Sequence, residues 1–240
     1  MALERVAEGV EVLRLRGPGR VQKLTNVYFL EEGGQVTLLD AGSVQMAGAI
    51  EKAAGERGGI GRIVLSHAHA DHRGGASKMD APIVCHPDEV ADVEGPDAGE
   101  HYFEFDKVRN PIVRAMAPGM LHRMDGGPLK VADTVAEGGT VAGFEVIHLP
   151  GHAPGQIGLW RESDRLAIVA DAVFVFDPFT MSAIPGRARL APPAGRPDEE
   201  AARASVRKIA DLDPAEVWIG HYGPLSGDVK AQLDEAARSA

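Results

Sequence analysis

The chain has 240 residues, 44% of them hydrophobic and 25% charged. That supports a core burying roughly 70% of the unfolded surface and excludes a disordered chain, a collagen-like repeat and a coiled coil. Lys and Arg number 25 against 35 Asp and Glu, a formal charge of −10, which disfavours nucleic acid and polyanionic substrates. Cys85 is the only cysteine, so no internal disulfide forms and a reducing compartment fits. The opening residues carry Glu4, Arg5 and Glu8 without a signal-type apolar run, and nothing reaches the roughly 18 apolar residues of a membrane span. A cytoplasmic location with no membrane partner is expected.

The first strands fall at 10–15, 26–31 and 35–40, the last two joined as a hairpin across Gly33-Gly34. Ser43 is placed to cap a helix carrying Val44, Ala47, Ile50 and Ala54 at helical spacing. A βαβ-like stretch follows: a strand at 62–66, the cluster 67–72, a short helix to about Met79 and a strand at 82–86. Residues 95–130 lose periodicity and mix Tyr102, Phe103, Phe105, Met116, Met120 and Met124 into a polar background, which reads as a lid or insert. Strands at 140–149, 156–160 and 165–170 lead to an apolar, Pro-rich loop at 172–197, where Phe174, Phe176, Phe179 and Met181 are candidates for pocket lining or core. A helix at 198–210 capped by Asp198, a strand at 216–220 and a helix at 228–238 close the chain. One domain, 1–240, is expected.

Four metal-competent side chains stand within six positions, His67, His69, Asp71 and His72. Residues two apart on an extended segment share a face, so His67 and His69 point the same way. Asp71 and His72, being adjacent, cannot both join that pair, and a turn there aims them at two neighbouring positions. His152, Asp171 and His221 each follow a strand, as His67 does, and the carboxyl ends of strands are where open α/β sheets place ligands. Alone, His152 or His221 would read as an ordinary loop histidine; the shared context argues otherwise. His86, His101, His122 and His148 fill no motif position and read as structural or surface groups. Cys85 reads as a small core residue.

These residues carry a resemblance. His67 to His72 match the H-x-H-x-D-H motif, Pro150 to Gly155 the P-G-H-x-x-G motif, Asp171 the strand-end bridging aspartate and Gly220-His221 the late G-H of the metallo-β-lactamase-fold hydrolases. The resemblance implies an α/β fold, an αββα sandwich of two mixed β-sheets flanked by helices. It implies that His67, His69 and His152 bind one divalent metal ion, that Asp71, His72 and His221 bind a second, and that Asp171 bridges them. Imidazole and carboxylate donors suit Zn²⁺, and equally Fe or Mn. Asp40 is implied as a partner of a ligand histidine. Two metals roughly 3.5–4 Å apart can share a hydroxide and polarise a carbonyl. Asp71 could orient that hydroxide, and Tyr222, if not simply packed, could donate to an oxyanion.

The subfamilies differ. Zinc β-lactamases place Cys where this chain has Asp171, so antibiotic hydrolysis is not expected. Glyoxalase II enzymes share the run Asp171-Ala172-Val173-Phe174 but add a G-C-G-R segment and a C-terminal helical domain for glutathione, neither of which is visible in this sequence. Acyl-homoserine lactonases resemble the 67–72 stretch yet carry a catalytic Tyr where Phe174 stands, which weakens a lactonase reading without removing it. The expectation is a dinuclear metal-dependent hydrolase of a small, partly apolar ester, thioester or lactone. The alternative is an oxidoreductase resembling the persulfide dioxygenases, with one Fe on His67, His152 and Asp171. Oligomeric state is left open.

Overall fold

Apolar residues at alternating and continuous spacing make the first half of the chain a sheet former. In the computed structural model, which describes residues 3–16, 22–177, 182–183 and 187–239, strands β1 (Leu3–Ala7), β2 (Val10–Arg16), β3 (Gln22–Glu32), β4 (Gln35–Leu39), β5 (Ile60–Val64), β6 (Ile83–Cys85) and β7 (Val131–Thr134) pair in that order. The first four run antiparallel and β4 to β7 run parallel, so the sheet is mixed. Gly33 and Gly34 take φ of +61° and +82° in the β3–β4 turn, the sign that a two-residue hairpin loop needs.

The backbone divides into two compact units, Met1–His101 with Pro118–Val135, and Tyr102–Ala117 with Ala136–Ala240. In the first, helix α1 (Ala47–Gly55) turns Ala47, Ile50 and Ala54 into a core with Val27, Phe29, Leu38 and Ile63. The residues before α1 form a 3₁₀ turn, Val44–Met46, closed by the Ser43 carbonyl (Met46 N to O, 2.8 Å). Ser43 therefore caps through its backbone and makes no side-chain cap bond. Helix α2 (Ala70–Arg73) carries Asp71 and His72, and α3 (Val90–Glu94) follows β6.

Arg73 is fully buried, paired with both oxygens of Asp125 (3.0 and 2.9 Å), and donates to the carbonyls of Asp92, Val93 and Gly95. It ties α2 to the end of α3 and to residue 125. Cys85 is buried, and burial pushes its thiol up to about 12, so it is a neutral core group.

Residues 95–130 contain what their mixed composition hid: helix α4 (Pro111–Met124). Asn110 Oδ1 accepts from the N–H of Ile112 (3.0 Å) and of Val113 (3.3 Å), and Pro111 takes the first helical position, a start signal that Pro118 and Gly119 obscure. The boundary between the units falls within α4, at Pro118.

The second unit carries β8 (Thr140–Val141), β9 (Phe144–His148), β10 (Ile157–Arg161) and β11 (Leu166–Ile168). A ribbon of β12 (Phe176–Asp177) and β13 (Ser182–Ala183) precedes β14 (Glu216–Trp218). The mixed sheet runs β14-β11-β10-β9-β8, with β11 and β14 parallel. The run 140–149 is not one strand: Ala142 and Gly143 take φ of +48° and +80° and fold it into a hairpin. Helices α5 (Glu199–Asp211) and α6 (Val229–Arg238) are capped by the Asp198 and Asp228 carboxylates. They bury Val206, Ile209 and Leu233 against Ile147, Val169 and Val217, each large side chain contributing about 1.5–3 kcal/mol. Phe179 and Met181 lie outside the described residues. Among the described residues no helix is long and apolar enough to cross a membrane.

Replacing Arg73 by Ala strands Asp125 and three carbonyls; a loss of about 3–5 kcal/mol is expected in urea unfolding, and a change below about 1 kcal/mol would contradict this role. Cys85 should resist a thiol reagent in the native protein at neutral pH and react on denaturation, as a colorimetric thiol assay reads directly.

Candidate metal centre

In the first unit the parallel pairing of β4 and β5 sets Leu39 beside Val64. Asp40 therefore leaves its strand beside the residues that lead into His67, with its N–H on the Val64 carbonyl (2.8 Å). Asp40 sits at φ +66°, left-handed backbone that Asp tolerates better than most side chains. Its Oδ1 accepts from the Ser66 N–H (2.7 Å), and its Oδ2 from the Ser66 hydroxyl (2.8 Å) and from His72 Nδ1 (2.7 Å).

A carboxylate only accepts, so His72 carries its hydrogen on Nδ1 and keeps the lone pair on Nε2. The Ser66 hydroxyl, its one hydrogen spent on Asp40, accepts from His67 Nδ1 at 2.9 Å, which leaves the lone pair of His67 on Nε2 as well. One carboxylate thus fixes the tautomers of two imidazoles.

His67, His69 and His72 are buried and their rings gather closely, with centroids 4.5 Å apart for His67–His69 and 4.2 Å for His67–His72. Asp71 and His72 lie in the single turn of α2, where successive side chains diverge by about 100°, and Asp71 Oδ2 stands 3.8 Å from His72 Nε2.

Sequence reasoning missed Glu89. It is fully buried, and its Oε2 accepts the Ala68 N–H at 2.7 Å, holding the peptide between His67 and His69. The signal was a Glu four residues past strand β6, too common a pattern to single out.

In the second unit the same device recurs. Ile168 pairs with Trp218 in the parallel β11–β14 ladder; Asp171 and His221 each come three residues later, and the Gly220 N–H bonds the Ala170 carbonyl (2.9 Å). Equal offsets from a parallel pair bring the two side chains together, Asp171 Oδ2 lying 3.0 Å from His221 Nε2. Ala170, at φ +44°, turns the chain so that Asp171 follows.

His152 comes from the β9–β10 loop, and its Nε2 lies 3.6 Å from the same Asp171 oxygen. Its Nδ1 donates to the Gly195 carbonyl (2.6 Å), which leaves the lone pair on Nε2. Gly151 permits the loop's path: its φ is +128°, and a Cβ there would lie 2.3 Å from the Ala202 nitrogen of α5.

Aromatic rings wall this group. Phe174 lies 5.9 Å from His152 and 5.8 Å from His221 by ring centroids, Phe103 6.2 Å from His152, and Phe176 5.9 Å from His221. Tyr222, half-buried at φ +61°, packs on Phe176 at 4.4 Å; burial raises its phenol pKa.

The first unit therefore assembles His67, His69, Asp71 and His72, and the second His152, Asp171 and His221. The histidines outside the motifs have ordinary duties: His86 accepts from the Asp88 N–H (3.2 Å), His148 donates to the Pro154 carbonyl (2.9 Å), His101 stands 3.6 Å from Asp92, and His122 is exposed on α4. Each set offers buried imidazole nitrogens with a carboxylate, and none of its members is a thiolate. That donor chemistry fits a borderline divalent cation such as Zn²⁺, Fe²⁺ or Mn²⁺.

Comparison with known proteins agrees with this chemistry. The profile of the metallo-beta-lactamase superfamily matches residues 21–221. The Bacillus subtilis protein named "Probable metallo-hydrolase YflN" is 30% identical over 256 residues, covering 99% of this chain and 96% of that protein. Among solved structures, a metallo-beta-lactamase family protein of Thermus thermophilus, TTHA1429, superposes with a TM-score of 0.67 at 21% identity over 95% of this chain and 78% of its own. The protein TTHA1623, solved in a di-iron-bound form, gives 0.62 at 25% identity over 95% and 96%. With two mixed sheets flanked by helices, a profile match over most of its length and a full-length metallo-hydrolase relative, the chain belongs to the metallo-beta-lactamase superfamily of metallo-hydrolases.

Proposed function

We propose that this metallo-hydrolase is dinuclear and cleaves a small, partly apolar ester, thioester or lactone. The observation that carries the reading is the bracing of the imidazoles: His72 on Asp40, His67 through Ser66 on the same carboxylate, and His152 on the Gly195 carbonyl. Ligand histidines need this support, because a fixed Nδ1–H presents Nε2 in one orientation and raises its basicity.

His67, His69 and His152 would hold one cation, Asp71, His72 and His221 the other, with Asp171 shared. When bound, the cations supply a water of lowered pKa and a Lewis acid for the scissile carbonyl. The side chains do the rest. Asp71, half-buried beside His72, orients the attacking water and takes up its proton. Tyr222 holds its proton at neutral pH and is a candidate donor to the developing oxyanion. Phe103, Phe174 and Phe176 displace water around His152 and His221 and receive the apolar part of the substrate. The charge of −10 argues against a polyanion in that place, and the lone, neutral Cys85 fits a cytoplasmic setting.

The test is elemental analysis of protein purified without added metal, together with a panel of esters, thioesters and lactones. Two cations per chain and hydrolysis of one panel class are expected, and His69→Ala or Asp171→Ala should abolish turnover and lower the metal content. Full activity in a metal-free variant would overturn the proposal; a single iron with O₂ uptake would replace it by the dioxygenase reading.

A finer expectation concerns Asp40. Asp40→Asn puts a donor NH2 in place of one of the two accepting carboxylate oxygens and removes the charge behind His67 and His72; it should weaken metal binding by about 10–100-fold, whereas Ser66→Ala, which releases only His67, should cost less. Competition against a chromogenic chelator measures both, and the opposite order would refute the shared-acceptor account.

A further inference from the structure

Among the described residues the exposed large hydrophobic side chains are Ile112, Met116 and Met120, at 68%, 64% and 56% exposure. Scattered singly they would need no explanation. All three stand on α4 at spacings of four, which on a helix is one stripe. The face turned inward is slight by comparison, with Ala117 buried and Val113, Leu121 and Met124 half-buried.

The stripe has charged ends. Arg123 follows Met120 by three residues on the same stripe, so Ile112, Met116, Met120 and Arg123 form a line about 16 Å long at 1.5 Å per residue, and the exposed Arg109 lies just before the helix start. Arg114 is exposed on the other side. From Lys107 to Met124 the sequence holds no Asp or Glu, in a chain whose formal charge is −10. Of the flanking acids, Glu104 is paired with Lys107 and Asp125 with Arg73, while Asp106 is exposed just before Lys107, outside the helix. Among the described residues the side chains of Arg109, Arg114 and Arg123 make no ion pair.

We propose that α4 is an in-plane docking surface for an anionic phospholipid bilayer. The chemistry matches group by group. Ile and the flexible Met side chains enter the boundary between headgroups and acyl chains, and the arginines bracket them at headgroup level, where guanidinium pairs with phosphate. A two-fold contact with a second copy would set unpaired arginines against their own counterparts. The acidic remainder of the chain does not forbid binding, since at physiological salt its repulsion is screened beyond about 8 Å. The expectation of no membrane partner rested on the absence of a spanning segment, which says nothing of a helix lying on the surface. This inference depends on α4 alone, so it can fail while the hydrolase proposal stands.

The test uses the full-length, metal-loaded protein and vesicles of phosphatidylcholine, with and without phosphatidylglycerol, in a sedimentation assay at low and high salt. Binding to the anionic vesicles only, weakened by salt, is expected. Arg109→Gln with Arg123→Gln should reduce affinity about thirtyfold, each basic residue at an anionic surface being worth roughly fivefold. Met116→Ser with Met120→Ser should reduce it about tenfold or more. These residues are exposed, and unchanged circular dichroism and melting will show that the variants fold. Absence of vesicle binding, equal binding to neutral vesicles, or variants that bind like the parent would overturn the proposal. So would a dimer in sedimentation velocity that the methionine substitutions dissolve, or binding to polyglutamate in place of vesicles.

Discussion

The histidine cluster of the first unit depends on one carboxylate. Asp40 offers about four acceptor sites and no donor; three of them take the Ser66 N–H, the Ser66 hydroxyl and His72 Nδ1. Through the serine it also sets the hydrogen of His67. An imidazole with an unassigned tautomer is an ambivalent ligand, and a buried one is costly unless satisfied. Asp40 resolves both problems, and its left-handed backbone is the local cost of placing a carboxylate there.

The second unit relies on register rather than on a hub. Parallel strands present equivalent positions at the same edge, so Asp171 and His221 meet because each lies three residues beyond the Ile168–Trp218 pair. The first unit repeats the device at Leu39 and Val64. Supporting groups are drawn from far along the chain: Glu89 beneath Ala68, and the Gly195 carbonyl on His152. The orientation of these side chains is thus over-determined by buried hydrogen bonds, while the aromatic rings near His152 and His221 keep the surroundings apolar.

Helix α4 follows a different rule. Its start is secured locally, by Asn110 and Pro111, and its largest side chains face solvent. A helix that buries little beyond Ala117 gains little from the core, and the sequence there is free to serve an outward surface.

The metal-competent residues, the strands before them, the Gly33-Gly34 hairpin and the cap at Asp198 were legible because each is a local pattern: a spacing, a turn pair or a cap recurs wherever its few residues recur. The 140–149 run was misread because its alternation continues through a turn that only the φ of Ala142 and Gly143 declares. Helix α4 was hidden because Pro118 and Gly119 break the periodicity that an inward-facing helix would show. Ser66, Glu89, the Gly195 carbonyl and Arg73 were invisible for another reason. Their partners lie 19 to 52 residues away, and a hydrogen bond between distant segments leaves no periodic trace. Sequence alone determined which atoms could hold a cation; only tertiary structure decided which nitrogen of each imidazole carries its hydrogen, because a tautomer is set by whichever acceptor the fold brings to it.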